Sequence, residues 1–167
     1  MARKAFYSFH FEPDNWRASQ VRNMGVVEGN VPVSDNSWEA VKRGGDASIK
    51  RWIDGQLDGR TCVIVLVGSA TAGRKWINYE IQNGWNLGKG VVGIHVHKLK
   101  DKNGNQSRIG VNPFAQFTLD VNGVKKPLST YVKCYNPSPS DSKDVYNFIS
   151  KNLAAWVEEA ILIRKQC

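Results

Sequence analysis

Residues 61–67 read T-C-V-I-V-L-V, an almost unbroken apolar run rich in valine. The run lacks the polar–apolar alternation of a half-solvated strand, so both of its faces must be buried, as in a central strand of a parallel sheet. The next residues narrow the fold further. Gly68 and Gly73 bracket a turn of small residues, G-S-A-T-A-G, after which Trp76, Ile77, Ile81 and Trp85 recur at helical spacing. A strand, a tight turn and a helix form the unit from which open α/β sheets are built. Ligands of such sheets sit at the carboxyl ends of the strands. Ser69 and the start of this helix are therefore expected to line a crevice, with Glu80 further along the helix.

The flanking chain fits the same plan. Residues 4–11, K-A-F-Y-S-F-H-F, predict a first strand that Pro13 and Asp14 break. Asp14 or Asn15 can cap a helix over 16–24 that Gly25 stops. Val26 and Val27 are a candidate short second strand, and 28–36 read as a loop. A short helical piece begins at Ser37 and ends at Gly44 and Gly45. From Asp46 a better helix carries the stripe Ala47, Ile49, Trp52, Ile53 and Leu57. Residues 90–96 predict another buried strand, 98–113 a polar basic loop turning at Asn103–Gly104, and 114–120 a short edge strand. Asn122–Gly123 is a further turn and 128–135 a further strand. Asp141 caps a last amphipathic helix. Strands alternating with helices predict a mainly parallel α/β sheet with right-handed crossovers. A length of 167 residues suits a single domain, 1–167.

Composition excludes little but bounds the setting. No apolar run approaches the ~18 residues that span a bilayer, and M-A-R-K-A-F-Y lacks the apolar segment of a signal peptide. Cys62, Cys134 and Cys167 are odd in number and scattered, without a CxxC pair, so a reduced, cytoplasmic setting is expected. The net charge of +8 suits nucleic acid, an acidic membrane surface or a small phosphorylated ligand, and does not choose among them.

Several residues carry chemistry, each with a plainer reading beside it. Glu80 is either a solvated helix glutamate or, four residues after Trp76 on one helical face, a site carboxylate. Arg74 and Lys75 stand in the first turn, where the helix dipole makes cations mildly unfavourable and phosphate welcome; they are snorkelling surface cations or phosphate ligands. His95 and His97 alternate at a strand end and point the same way, but no third ligand stands at a recognisable spacing. His10, near the end of the first strand, is a ligand contact or a satisfied polar residue of the sheet rim. The glycines form neither GxGxxG nor a Walker loop, and the basic loop 98–108 lacks stacking aromatics for nucleic acid.

Taken together, these boxes resemble a family. K-A-F-Y-S-F-H looks like the opening box of TIR domains, and V-L-V-G-S-A-T-A-G-R-K-W-I-N-Y-E-I looks like their strand, serine, and Trp–Glu pair four apart on the next helix. The chain is most similar to the TIR-like, B-type proteins of the bacterial Thoeris anti-phage system. There the likeness runs on through G-I-H-V-H-K-L-K-D-K-N-G-N to N-P-F at 112–114. It covers a core of roughly 3–115 and fades over a C-terminal strand and helix extension, 116–167. The resemblance implies a flavodoxin-like three-layer fold with about five strands. It also implies an enzyme that cleaves NAD at the nicotinamide–ribose bond and makes a cyclic ADP-ribose isomer, which signals to a companion effector. NAD is the substrate, and no cofactor, metal or membrane is implied; a homo-oligomer is. The family's catalytic glutamate falls on Glu80 and its tryptophan on Trp76. The substrate pocket falls on Phe6, Ser8 and Phe9 with His10 adjacent, and the loop around Asp35 and Trp38 flanks it, beside Ser69 and Arg74. Ile77 replaces a cysteine that many TIR domains carry, and the Ser69–Trp76 spacing is one residue shorter than in receptor TIR domains. Three other readings compete. A non-enzymatic TIR-type interaction module makes Glu80 dispensable. A nucleoside hydrolase or deoxyribosyltransferase turns over free nucleosides but not NAD. A nucleic-acid binder shows steep salt dependence.

Overall fold

A computed structural model describes residues 2–30 and 40–167. The apolar run forms β2 (Cys62–Val67), and all six of its residues are buried. It lies between β1 (Ala5–Ser8) and β3 (Gly90–His95), with β6 (Cys134–Tyr135) beyond β3, giving the order β1-β2-β3-β6 with every pairing parallel. Alternation along the strands splits the core in two. Cys62, Ile64 and Leu66 join the layer covered by α1 (Phe11–Arg22) and α4 (Ser142–Gln166). Val63, Val65 and Val67 join the layer covered by α2 (Gly45–Leu57) and α3 (Lys75–Asn86). The result is the three-layer, mainly parallel α/β architecture, with four strands in its central sheet among the described residues.

The expected second strand at Val26–Val27 is reduced to one parallel bridge between Lys4 and Glu28. Ala5 N–H donates to Glu28 O and Glu28 N–H to Arg3 O, both at 2.9 Å. The ladder then stops, because Tyr7 N–H donates to the Asn30 side chain instead of a backbone carbonyl. The first strand is also shorter than 4–11, and α1 starts at Phe11 rather than at Trp16. Pro13 falls in the first turn, where its missing N–H removes no helical bond. Asp14 is thus inside the helix and is not its cap.

The segment 114–120 adds no edge to the main sheet. Within it β4 (Thr118–Val121) begins, and it pairs antiparallel with β5 (Val124–Pro127) across the turn at Asn122 and Gly123. The strand expected over 128–135 opens instead with a 3₁₀ turn, Leu128–Thr130, and only Cys134–Tyr135 forms a strand. Leu128 and Val132 are both buried; their spacing of four is a helical one. The C-terminal part enters the main core, since α4 buries Val145, Ile149, Leu153, Trp156, Val157, Ala160 and Ile161. Asp141 caps it, accepting from Lys143 N–H at 2.9 Å.

One contact sets the depth of α3. A Cβ at Gly84 would stand 2.6 Å from Val63 Cγ2, so glycine lets the helix lie close against β2. Gly84 is one turn after Glu80 on the same face, so this approach also draws Glu80 toward the sheet. Among the described residues no helix is long and apolar enough to cross a membrane.

Candidate functional site

The carboxyl ends of β1, β2 and β3 carry most of the polar residues singled out from the sequence. Phe6 and Ser8 share the face of β1 that meets α3, and Phe6 is fully buried there with Ile77 and Ile81. Ser8 is 1% exposed and Glu80 8%. The Ser8 hydroxyl donates to Glu80 Oε1 at 2.7 Å. Burial pushes the Glu80 carboxyl from 4.5 up to about 8, and the Ser8 hydrogen bond opposes the rise by favouring the ionised form. A carboxyl held this way is mostly protonated at neutral pH.

Arg74 and His10 stand at the starts of α3 and α1. Arg74 is exposed at the start of α3, where its extended backbone leaves the first-turn N–H groups without a side-chain cap. His10 is half-buried at the start of α1, and its Nδ1 is buried without a hydrogen-bond partner. Burial holds the His10 imidazole below its usual range, and the Arg74 charge pushes the same way. Lys75 is engaged elsewhere: it pairs with Asp46 on α2 and lies 4.9 Å from the centre of the Trp76 ring. Of the two cations in this turn, Arg74 is the one whose charge reaches His10. Trp76 is half-buried one turn before Glu80, edge-on to Tyr79 with ring centres 6.0 Å apart. Ser69 is exposed in the turn after β2.

Phe9 stands apart from this group. Its ring stacks on Phe11 at 6.3 Å, and the Arg22 guanidinium sits 5.7 Å from its centre, so it packs with the layer of α1. Asp35 and Trp38 lie outside the described residues. The rings of His95 and His97 meet at right angles, 5.8 Å apart, and each has a buried Nδ1 without a partner. Burial and the neighbouring His97 lower His95 to about 4, so this imidazole is neutral. Among the described residues no group of three metal-binding side chains exists.

Sequence reasoning missed the support beneath the site. Asp14 and Arg17 form a buried ion pair at 3.0 Å. Arg17 also donates to Leu99 O and Asn105 O, each at 2.8 Å, and so ties the loop after β3 to α1. The Asp14 carboxylate fills the space beside Gly68, where a Cβ would come within 2.0 Å of Oδ2. Gly110 packs backbone to backbone on the same turn, with a Cβ position 2.0 Å from Gly68 O. These contacts fix the turn after β2 at the carboxyl end of the sheet. An Asp–Arg spacing of three is commonplace on exposed helices, so nothing in the sequence marks this pair as buried.

Comparison with known proteins gives two matches. The family model described as "Thoeris protein ThsB, TIR-like domain" matches residues 6–101. A protein of Bacillus cereus (strain MSX-D12) named "Putative cyclic ADP-D-ribose synthase ThsB1" is 37% identical over 136 residues, covering 78% of this chain and 71% of that one.

Proposed function

The chain belongs to the Thoeris ThsB family of TIR-like proteins, and from that membership we propose that it is an enzyme that cleaves NAD at the nicotinamide–ribose bond. Its product is a cyclic ADP-ribose isomer, the class of product named for its B. cereus relative. The observation that carries the reading is the buried Glu80 held by Ser8 at the carboxyl edge of the sheet.

The chemistry asks little of the protein. Ordinary glycosidases use two carboxyl groups, one of them to protonate the leaving oxygen. Nicotinamide in NAD is already cationic, so it departs neutral and needs no proton. The bond from ribose C1′ to the nicotinamide nitrogen breaks, its electron pair goes to nitrogen, and positive charge develops on the ribose. A carboxylate about 4 Å from that charge, at an effective dielectric near 20, contributes on the order of 4 kcal/mol. Realised only in the transition state, this is roughly a thousandfold in rate. Glu80 supplies the carboxylate, with Ser8 and Phe6 beside it. Trp76 forms an apolar wall. Arg74 and the uncapped start of α3 hold the diphosphate, with His10 and Ser69 at the same rim. Phe9, Asp35 and Trp38 complete the set of residues assigned to the pocket by family likeness. Capture of the ribose by a nucleophile within the substrate closes the ring; capture by water gives the linear product. The product signals to a companion effector in phage defence, and the active form is a homo-oligomer.

The test is mass spectrometry of NAD incubated with the protein, and of extracts of phage-infected cells expressing it, each beside Glu80→Gln. An ADP-ribose-derived product that disappears in the variant is the expected result. Full turnover by Glu80→Gln overturns the assignment of the glutamate, and no product from either source overturns the activity.

A further inference from the structure

A buried serine hydroxyl usually finds its acceptor in nearby backbone. Ser8 does not. Its side chain is directed across the sheet to a carboxylate 72 residues away. Three features make this arrangement specific. The register of β1 on β2 sets Ser8 opposite Val65, at the last paired position of β1. Alternation puts Ser8 on the same face as Phe6, in an apolar layer with Ile77 and Ile81. The close approach of α3 at Gly84 brings Glu80 down to the hydroxyl. Among the described residues Ser8 is the hydrogen-bond donor to Glu80.

We propose that Ser8 is a positioning residue for the reaction: it holds Glu80 Oε1, fixes the plane of the carboxylate, and leaves the second oxygen to face the ribose. This rests on the reading of Glu80 as the catalytic carboxylate, and it changes what Ser8 is for. The family likeness assigns Ser8 to the substrate, whereas the geometry commits its hydroxyl to Glu80. A donor aimed at the ionised form also makes the anion easier to reach in surroundings that resist charge. Burial and Ser8 are what govern Glu80 ionisation. The nearest cations along the helix, Arg74 and Lys75, stand exposed at its start, and Lys75 is paired with Asp46.

The test compares wild type, Ser8→Ala and Ser8→Thr by two measurements. The first is the pH profile of kcat and KM for NAD. The second is a ¹³C NMR titration of the Glu80 carboxyl without substrate, assigned with Glu80→Gln. A hydrogen bond to a charged group is worth enough to change kcat by about 10- to 100-fold. Ser8→Ala is therefore expected to lower kcat by that factor with KM little changed, and to move both titrations up by about one pH unit. Ser8→Thr keeps the hydroxyl and is expected to retain the wild-type titration. A raised KM with both titrations in place makes Ser8 a substrate ligand and overturns the proposal. An unmoved carboxyl titration in folded Ser8→Ala also overturns it. If wild type does not turn over NAD, the activity reading fails, and the NMR titration still decides whether Ser8 controls Glu80.

Discussion

Replacing Glu80 by glutamine is expected to remove activity and, above about pH 5, to stabilise the fold. The carboxyl sits at about 8 in the folded protein against an ordinary value of 4.5. The folded chain therefore keeps a proton that the unfolded chain has released. Unfolding is favoured more and more as pH rises between these values, and the effect levels off above the folded value. At 1.36 kcal/mol per unit the full penalty is about 5 kcal/mol, and at pH 7 about 3 kcal/mol. Glutamine has the same shape and does not titrate, so it escapes the penalty. Its altered hydrogen bond to Ser8 adds an offset that does not vary with pH, so the slope is the quantity to read. The assay is urea denaturation of both proteins, followed by circular dichroism, from about pH 5 to about pH 9. The stability difference in favour of glutamine should widen through this range and then flatten. A difference that stays constant across it refutes the placement of Glu80 in a desolvated site. The same titration predicts that kcat/KM for NAD rises with pH up to about 8, because the ionised form is the active one.

Two further outcomes test the turn after β2. Arg17→Met strands the buried Asp14 carboxylate and frees the Leu99 and Asn105 carbonyls, and should destabilise the fold by about 3–5 kcal/mol in urea denaturation. Gly110→Ala drives a Cβ against the Gly68 carbonyl and should cost about 1–3 kcal/mol, with a lower kcat/KM for NAD and an unchanged far-ultraviolet spectrum.

The parts of the fold legible in the sequence are those where burial and local pattern agree. Residues 62–67 are apolar throughout, and the strand they form is buried on both faces. Asp141 caps the last helix as its position predicts. Expectation and structure part where a local signal has two meanings. Pro13 reads as a strand breaker ahead of a later helix, yet in a first turn it loses no bond and the helix starts before it. The apolar residues of 128–135 suit a strand by composition, but Leu128 and Val132 bury themselves from a single turn. In the site, the Trp76–Glu80 spacing marks the helix face. Alternation alone separates Phe6 and Ser8 from Phe9, and it explains why Phe9 turns to α1 while its neighbour meets Glu80. The Ser8–Glu80 contact itself has no local signal. It depends on strand register and on how deeply α3 lies, which Gly84 and Val63 decide together.

That dependence links the stability of the fold to its chemistry. An exposed Glu80 would cost nothing to ionise, but water would screen its pull on a developing cation to about a quarter of the value at an effective dielectric near 20. Burial under α3 imposes the ionisation penalty on the free protein and strengthens the attraction to the charge that develops on the ribose as the bond breaks. The penalty and the attraction come from the same desolvation, so a mutation that relieves one weakens the other. Ser8 moderates this coupling. Its hydrogen bond favours the ionised form, while burial holds the carboxyl well above its ordinary value. The strand that supplies Ser8 is only four residues long, and on the proposed reading of Glu80 its register against β2 matters to the reaction as much as the glutamate does.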